Sequence, residues 1–86
     1  MPKVHLPALL RPLAGGATWV EARGASLRDV IDDVERRHPG LRERIIDNGA
    51  IRPDVMVAID ADEVRDLDAP VPATSEVHIL PAIAGG

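Results

Sequence analysis

The 86-residue chain closes on Ala84-Gly85-Gly86, and the chemistry offered there belongs to the Gly86 carboxylate rather than to any side chain. Two glycines add nothing to a fold and cost backbone entropy. Lacking Cβ atoms, they can thread a narrow tunnel and present one acid group for activation at a partner enzyme. Residues 81–86 would span on the order of 20 Å when extended, enough to cross from a docked surface into a buried site. A chance ending or a frayed terminus is the plain alternative.

The side chains give weaker signals. His5, His38 and His78 lie far apart in the chain with no metal-ligand spacing, so no metal site is expected from them. Asp60, Asp62 and Glu63 lack the full spaced set of oxygen ligands that calcium requires and read as a solvated acidic turn. Ser26 has no accompanying His or Asp constellation and reads as a helix cap rather than a nucleophile. Asp32, Asp33 and Glu35 ride the polar side of an amphipathic pattern, where surface charge is the expectation. Gly15-Gly16 is a turn, not a phosphate loop. No catalytic residue stands out, and the chain is not expected to be an enzyme.

Composition narrows the class further. Ten basic and fourteen acidic residues leave a net charge of −4 with the basic groups scattered, which disfavours nucleic acid as a partner. Hydrophobic residues make up 45% of the chain, yet there is one Trp and no Phe or Tyr, so the core must be built of Val, Ile, Leu and Ala. The absence of cysteine removes disulfides, thiolate nucleophiles and thiolate metal ligands. No apolar run approaches membrane-spanning length, and Met1-Pro2-Lys3-Val4-His5 does not read as a signal peptide, so a soluble cytoplasmic protein is expected.

The elements that must position the chain end follow from periodicity. Residues 3–10 and 17–23 read as an N-terminal hairpin around Arg11-Pro12-Leu13-Ala14-Gly15-Gly16. Val4, Leu6 and Ala8 share one side of the first strand, and Trp19 points opposite to Val20 and Ala22 in the second. Ser26, with Asp29 three residues on, opens a helix whose Leu27, Val30, Ile31 and Val34 form one apolar stripe and which ends at Pro39-Gly40. A short helical turn fits residues 41–46, a strand residues 55–59, a short extension Val64-Arg65, and a last strand residues 77–80. Pro81 is expected to close that strand and begin the tail. This order predicts an α+β roll: a mixed sheet of four to five strands, one main helix on one face, and both chain ends in the middle of the sheet. That is the β-grasp, ubiquitin-like arrangement. A single domain over residues 1–80 and a flexible tail over 81–86 complete the expected organisation. Alternation then places Trp19, Met56, Ala58, His78 and Leu80 on the face that the helix leaves open, a candidate protein interface. A one-residue slip of register would bury Trp19 instead.

These residues resemble the ubiquitin-like sulfur carriers, a family that includes the molybdopterin-synthase small subunit and the thiamine-pathway sulfur carrier. The resemblance covers the whole chain. Its most specific parts are Leu10-Arg11-Pro12 followed by Gly15-Gly16, and the run Ile79-Leu80-Pro81-Ala82-Ile83-Ala84-Gly85-Gly86. Both are most similar to the actinobacterial carrier that feeds sulfur to a cysteine synthase. Val57-Ala58-Ile59-Asp60 with Glu63-Val64 is similar to the family's third strand and turn. One departure is Thr74-Ser75-Glu76, where the family usually carries Gly-Asp before the last strand.

The resemblance implies a protein co-substrate with no bound cofactor. An E1-like enzyme would use ATP to adenylate Gly86, and a persulfide or rhodanese-type donor would displace AMP to leave a thiocarboxylate. The tail Pro81, Ala82, Ile83, Ala84, Gly85 and Gly86 would thread the partner's active site. The recipient would be a pyridoxal-phosphate-dependent cysteine synthase or, next, the large subunit of molybdopterin synthase. Two other functions remain open from the sequence: a ubiquitin-like modifier attached through Gly86 to lysines of other proteins, and an interaction module whose tail is incidental. Lys3, the lone lysine, disfavours self-made chains.

Overall fold

A serine cap, a stripe of branched residues and a terminating Pro-Gly specify one helix, and the strands around it follow from period-two alternation. The computed structural model describes residues 1–82. In chain order the elements are β1 (Lys3–His5), a 3-10 helix (Ala8–Ala14), β2 (Trp19–Glu21), α1 (Leu27–Arg37), α2 (Arg42–Ile45), β3 (Ile46–Asp47), β4 (Ala50–Ile51), β5 (Val55–Ile59), β6 (Asp62–Val64) and β7 (Glu76–Pro81). At the start of α1, Ser26 Oγ accepts from the Asp29 N–H at 3.2 Å. Two further orphan donors of the first turn are met by the acid- and proline-rich connection: Leu27 N–H donates to Ala69 O at 2.9 Å and Arg28 N–H to Leu67 O at 2.8 Å. Gly24 makes this packing possible, because a Cβ there would lie 2.6 Å from the Val30 nitrogen.

The main sheet runs β2-β1-β7-β5-β6. β1 and β7 are parallel, and the other neighbours are antiparallel. Val4, Val20, Val57, Ile59, Val77 and Ile79 join Leu27, Val30, Ile31 and Val34 of α1 in one buried cluster. The mixed five-stranded roll with its ends in the middle is the architecture that the pattern predicts.

Besides β6, which runs Asp62–Val64 rather than Val64-Arg65 and so takes Asp62 and Glu63 out of the expected turn, four local features differ from the sequence expectation. The first strand stops at His5, and Pro7, which has no N–H to give a ladder, caps a 3-10 helix in which Leu10 N–H donates to Pro7 O at 2.9 Å and Leu10 and Ala14 are buried. Asn48 and Gly49, at φ 53° and 74°, turn a small β3–β4 hairpin where only a loop is expected. β7 does not end before Pro81. Pro81 pairs with Val55, and Ala82 N–H donates to Asp54 O at 3.0 Å, so the body extends two residues further than expected. The missing N–H of Pro81 falls at a position that does not bond to β5, which is why the ladder tolerates it.

The fourth correction concerns Asp33, which the helical pattern assigns to the solvated side with Asp32 and Glu35. It is 5% exposed. The Arg23 backbone N–H donates to its Oδ2 at 2.7 Å, and the Arg36 and Arg37 guanidinium groups bond its oxygens at 2.7 and 2.8 Å. That backbone donor first, and then Arg36, hold the carboxyl well below the ordinary carboxylate range. Asp33 thus ties α1 to the segment leaving β2. Glu35 also works locally, accepting from the Gly40 and Arg42 N–H groups.

Candidate functional site: the open sheet face and the chain exit

Strand registers settle what the open face carries. One row crosses the sheet through Trp19, His5, His78, Ala58 and Glu63, and a second pairs Leu80 with Met56. Trp19 is 41% exposed and Leu80 39%, while Met56, Ala58 and His78 are half-buried. A slipped register with Trp19 in the core is therefore excluded. The five residues singled out by alternation do share one face, but Trp19 reaches the others only across His5, a residue the sequence reading leaves aside. Alternation in β1 contains the signal, since Val4 faces inward and its neighbours Lys3 and His5 must face outward.

The polar groups on this face are organised. The Lys3 ammonium sits 4.6 Å from the centre of the Trp19 ring, a cation–π contact, and Lys3 stands in register with both Glu21 and Glu76. The His5 and His78 rings stack at 4.6 Å with 10° between planes, and His5 Nε2 shares a hydrogen bond with Glu76 Oε1. Asp60, in the left-handed region at φ 54°, fixes the start of β7. Its N–H donates to Glu76 O at 2.7 Å, and its carboxylate accepts from Glu76 N–H at 3.0 Å and Ser75 Oγ at 2.8 Å. Those bonds, the Glu76 N–H first, lower the Asp60 pKa. Asp60 thus clamps the start of β7, while Asp62 and Glu63 lie in β6, and Ser75, where the family usually has Gly-Asp, is buried as part of the clamp. Ser26 is engaged as the helix cap, as expected.

At the far end of β7 the chain leaves beside a groove of about 860 Å³ whose walls include Leu9, Arg44, Arg52, Asp54, Leu80 and Pro81. Leu9 is 88% exposed there. Arg52 bonds the Asp54 carboxylate at 3.0 Å, which holds that group's pKa down. Of the tail residues named from the sequence, Pro81 and Ala82 are in β7 or bonded to β5's approach. Ile83, Ala84, Gly85 and Gly86 lie outside the described residues. Among the described residues no helix is long and apolar enough to cross a membrane.

A model of the ThiS family matches residues 4–86. The chain belongs to the ThiS family. This ThiS-family chain is 36% identical to the sulfur carrier protein CysO of Mycobacterium tuberculosis, with 96% of each chain covered. Its fold matches a chain in the crystal structure of the Amycolatopsis orientalis BexX/CysO complex with a TM-score of 0.94, at 37% identity over the whole of both chains. It is also 32% identical to small archaeal modifier protein 3 of Haloferax volcanii, over 79% of this chain and 77% of that one. The β-grasp, ubiquitin-like fold and the kinship with sulfur carriers expected from the sequence are both found.

Proposed function

We propose that this protein is a sulfur carrier whose reactive centre is the Gly86 carboxylate. The observation that carries the reading is that the family match runs to residue 86, and so takes in the Gly-Gly end, on a chain 36% identical to a sulfur carrier over nearly its whole length. An E1-like enzyme would bring ATP: a Gly86 carboxylate oxygen attacks the α-phosphorus, pyrophosphate leaves, and an acyl-adenylate forms. The outer sulfur of a persulfide on a rhodanese-type donor then attacks the acyl carbon and AMP departs, leaving an acyl disulfide. A thiol of the activating machinery attacks the donor sulfur of that bond, forming a disulfide with the donor and releasing the Gly86 thiocarboxylate. The recipient is proposed to be a pyridoxal-phosphate-dependent cysteine synthase first, and the large subunit of molybdopterin synthase second. The open face with Trp19, Met56, Ala58, His78 and Leu80 is the surface proposed to dock these partners, with the work done in the cytoplasm. No side chain of this protein takes part in the covalent steps.

Incubating the protein with an E1-like enzyme, ATP and a sulfur source should replace one oxygen by sulfur in its intact mass, and deleting Gly86 should abolish the change. If neither adenylate nor thiocarboxylate forms, the reading fails. The similarity to a small archaeal modifier favours one second reading, attachment through Gly86 to lysines of other proteins. Isopeptide-linked adducts in cell extract, absent for the Gly86 deletion, would establish it.

A further inference from the structure

We propose that His5, Glu76 and His78 form a binding site for one divalent transition-metal ion, Zn²⁺ first, on the open face of the sheet. The parallel pairing of β1 with β7 sets His5 directly beside His78, and Glu76 lies two residues before His78 on the same face. Residues i and i+2 of one strand and the facing residue of its neighbour form a compact triangle of side chains. The candidate donor atoms of all three lie within 4.8 Å of one another. A zinc ion with bonds of about 2.0–2.1 Å needs its donors about 3.3 Å apart, so the site closes when the stacked His5 and His78 rings turn out of parallel and aim one nitrogen each at the ion. Two imidazoles and one carboxylate match zinc, copper and nickel, and leave one position for water.

Two features prepare this site. The backbone of Glu76 is held on both sides by Asp60, through its N–H and its carbonyl, which fixes the carboxylate ligand's place on β7. His5 and His78 stand on adjacent strands in the middle of the sheet, each held in ladders by its neighbours. The Nε2 of His5 shares a hydrogen bond with Glu76, and the ion would take the place of that bond. The opposing charge is Lys3, whose ammonium is drawn over Trp19 on the β2 side. The site is independent of the Gly86 chemistry, since it is built wholly from described residues on the sheet.

Trp19 provides the probe, because it pairs with His5 and is the lone tryptophan. Titration of the full, untagged chain with Zn²⁺ by calorimetry should saturate at one ion per chain, and Ni²⁺ should quench Trp19 emission with the same stoichiometry. His5→Ala and His78→Gln should each weaken binding by about tenfold or more, and His38→Ala should leave it unchanged. Circular dichroism of each variant checks that the fold is retained. Chemical shifts on Zn²⁺ addition should concentrate at residues 5, 76 and 78. Lack of saturable binding in the wild type, or equal binding by a folded double variant of His5 and His78, would overturn the site.

Discussion

The two faces of the sheet are made by the same strands, one residue apart, yet they follow different rules. Towards α1, β1, β5 and β7 present Val4, Val57, Ile59, Val77 and Ile79, all within 8% of full burial. Away from it they present Lys3, His5, Met56, Glu76, His78 and Leu80, partly or well exposed. The inner face is held by volume and burial, so its residues are constrained by shape. The outer face adds to its backbone ladders only exposed or half-buried contacts, Lys3 over Trp19 and His5 with His78 and Glu76, so packing constrains its side chains far less. The difference teaches that residues one apart in a strand carry unequal shares of the stability, and mutations should separate the core from the face proposed to bind partners.

Ile79→Ala should break the inner face most severely, costing about 3 kcal/mol in urea unfolding, whereas its outward neighbour Leu80→Ala should cost under about 1 kcal/mol. Equal costs would mean that the two faces are not distinct. Next, Gly24→Ala should cost about 2 kcal/mol, since the new Cβ meets backbone that cannot easily move; a thermal melt reads it directly. Asp33→Asn should lower the melting temperature at neutral pH. Because the folded pKa of Asp33 is depressed, its contribution is present above the unfolded value, near 3.8, and is lost as pH falls through the lower folded value. The gap between wild type and variant should therefore close below pH 3.8 in a series of melts. Smallest in stability is Trp19→Ala, expected to change it by under about 1 kcal/mol while weakening binding to the proposed adenylating partner about tenfold. A large stability loss with affinity intact would remove Trp19 from the docking surface.

Where neighbours in sequence decide the structure, the sequence is readable. Ser26, the four-residue stripe and Pro39-Gly40 announce α1, and alternation in β5 and β7 names the inward residues without ambiguity. Residues 8–14 are harder, because Pro7 and Pro12 bracket a leucine-rich run that suits strand and 3-10 helix alike. β3 and β4, two residues each, are too short to alternate, although Asn48-Gly49 is the turn pair a hairpin prefers. Asp33 lies on the flank of the apolar stripe, and only the crossing of the Arg23 segment turns that flank into an interior. The His5–Glu76–His78 group depends on pairing the first strand with the last. No local spacing could reveal it, and only the register brings it together. The open-face patch was half legible for the same reason: its residues could be named, but not the histidine that joins them.

The place of β7 between β1 and β5 has a consequence for how the protein is made. The strand at the heart of the sheet follows all the others in the chain, so β1 must wait, unpartnered on that edge, until residues 76–81 are made. The sheet is then completed through contacts between strands far apart in sequence, which close slowly. A chain truncated before β7 would leave β1–β2 and β5–β6 as two separate ladders with no strand to join them.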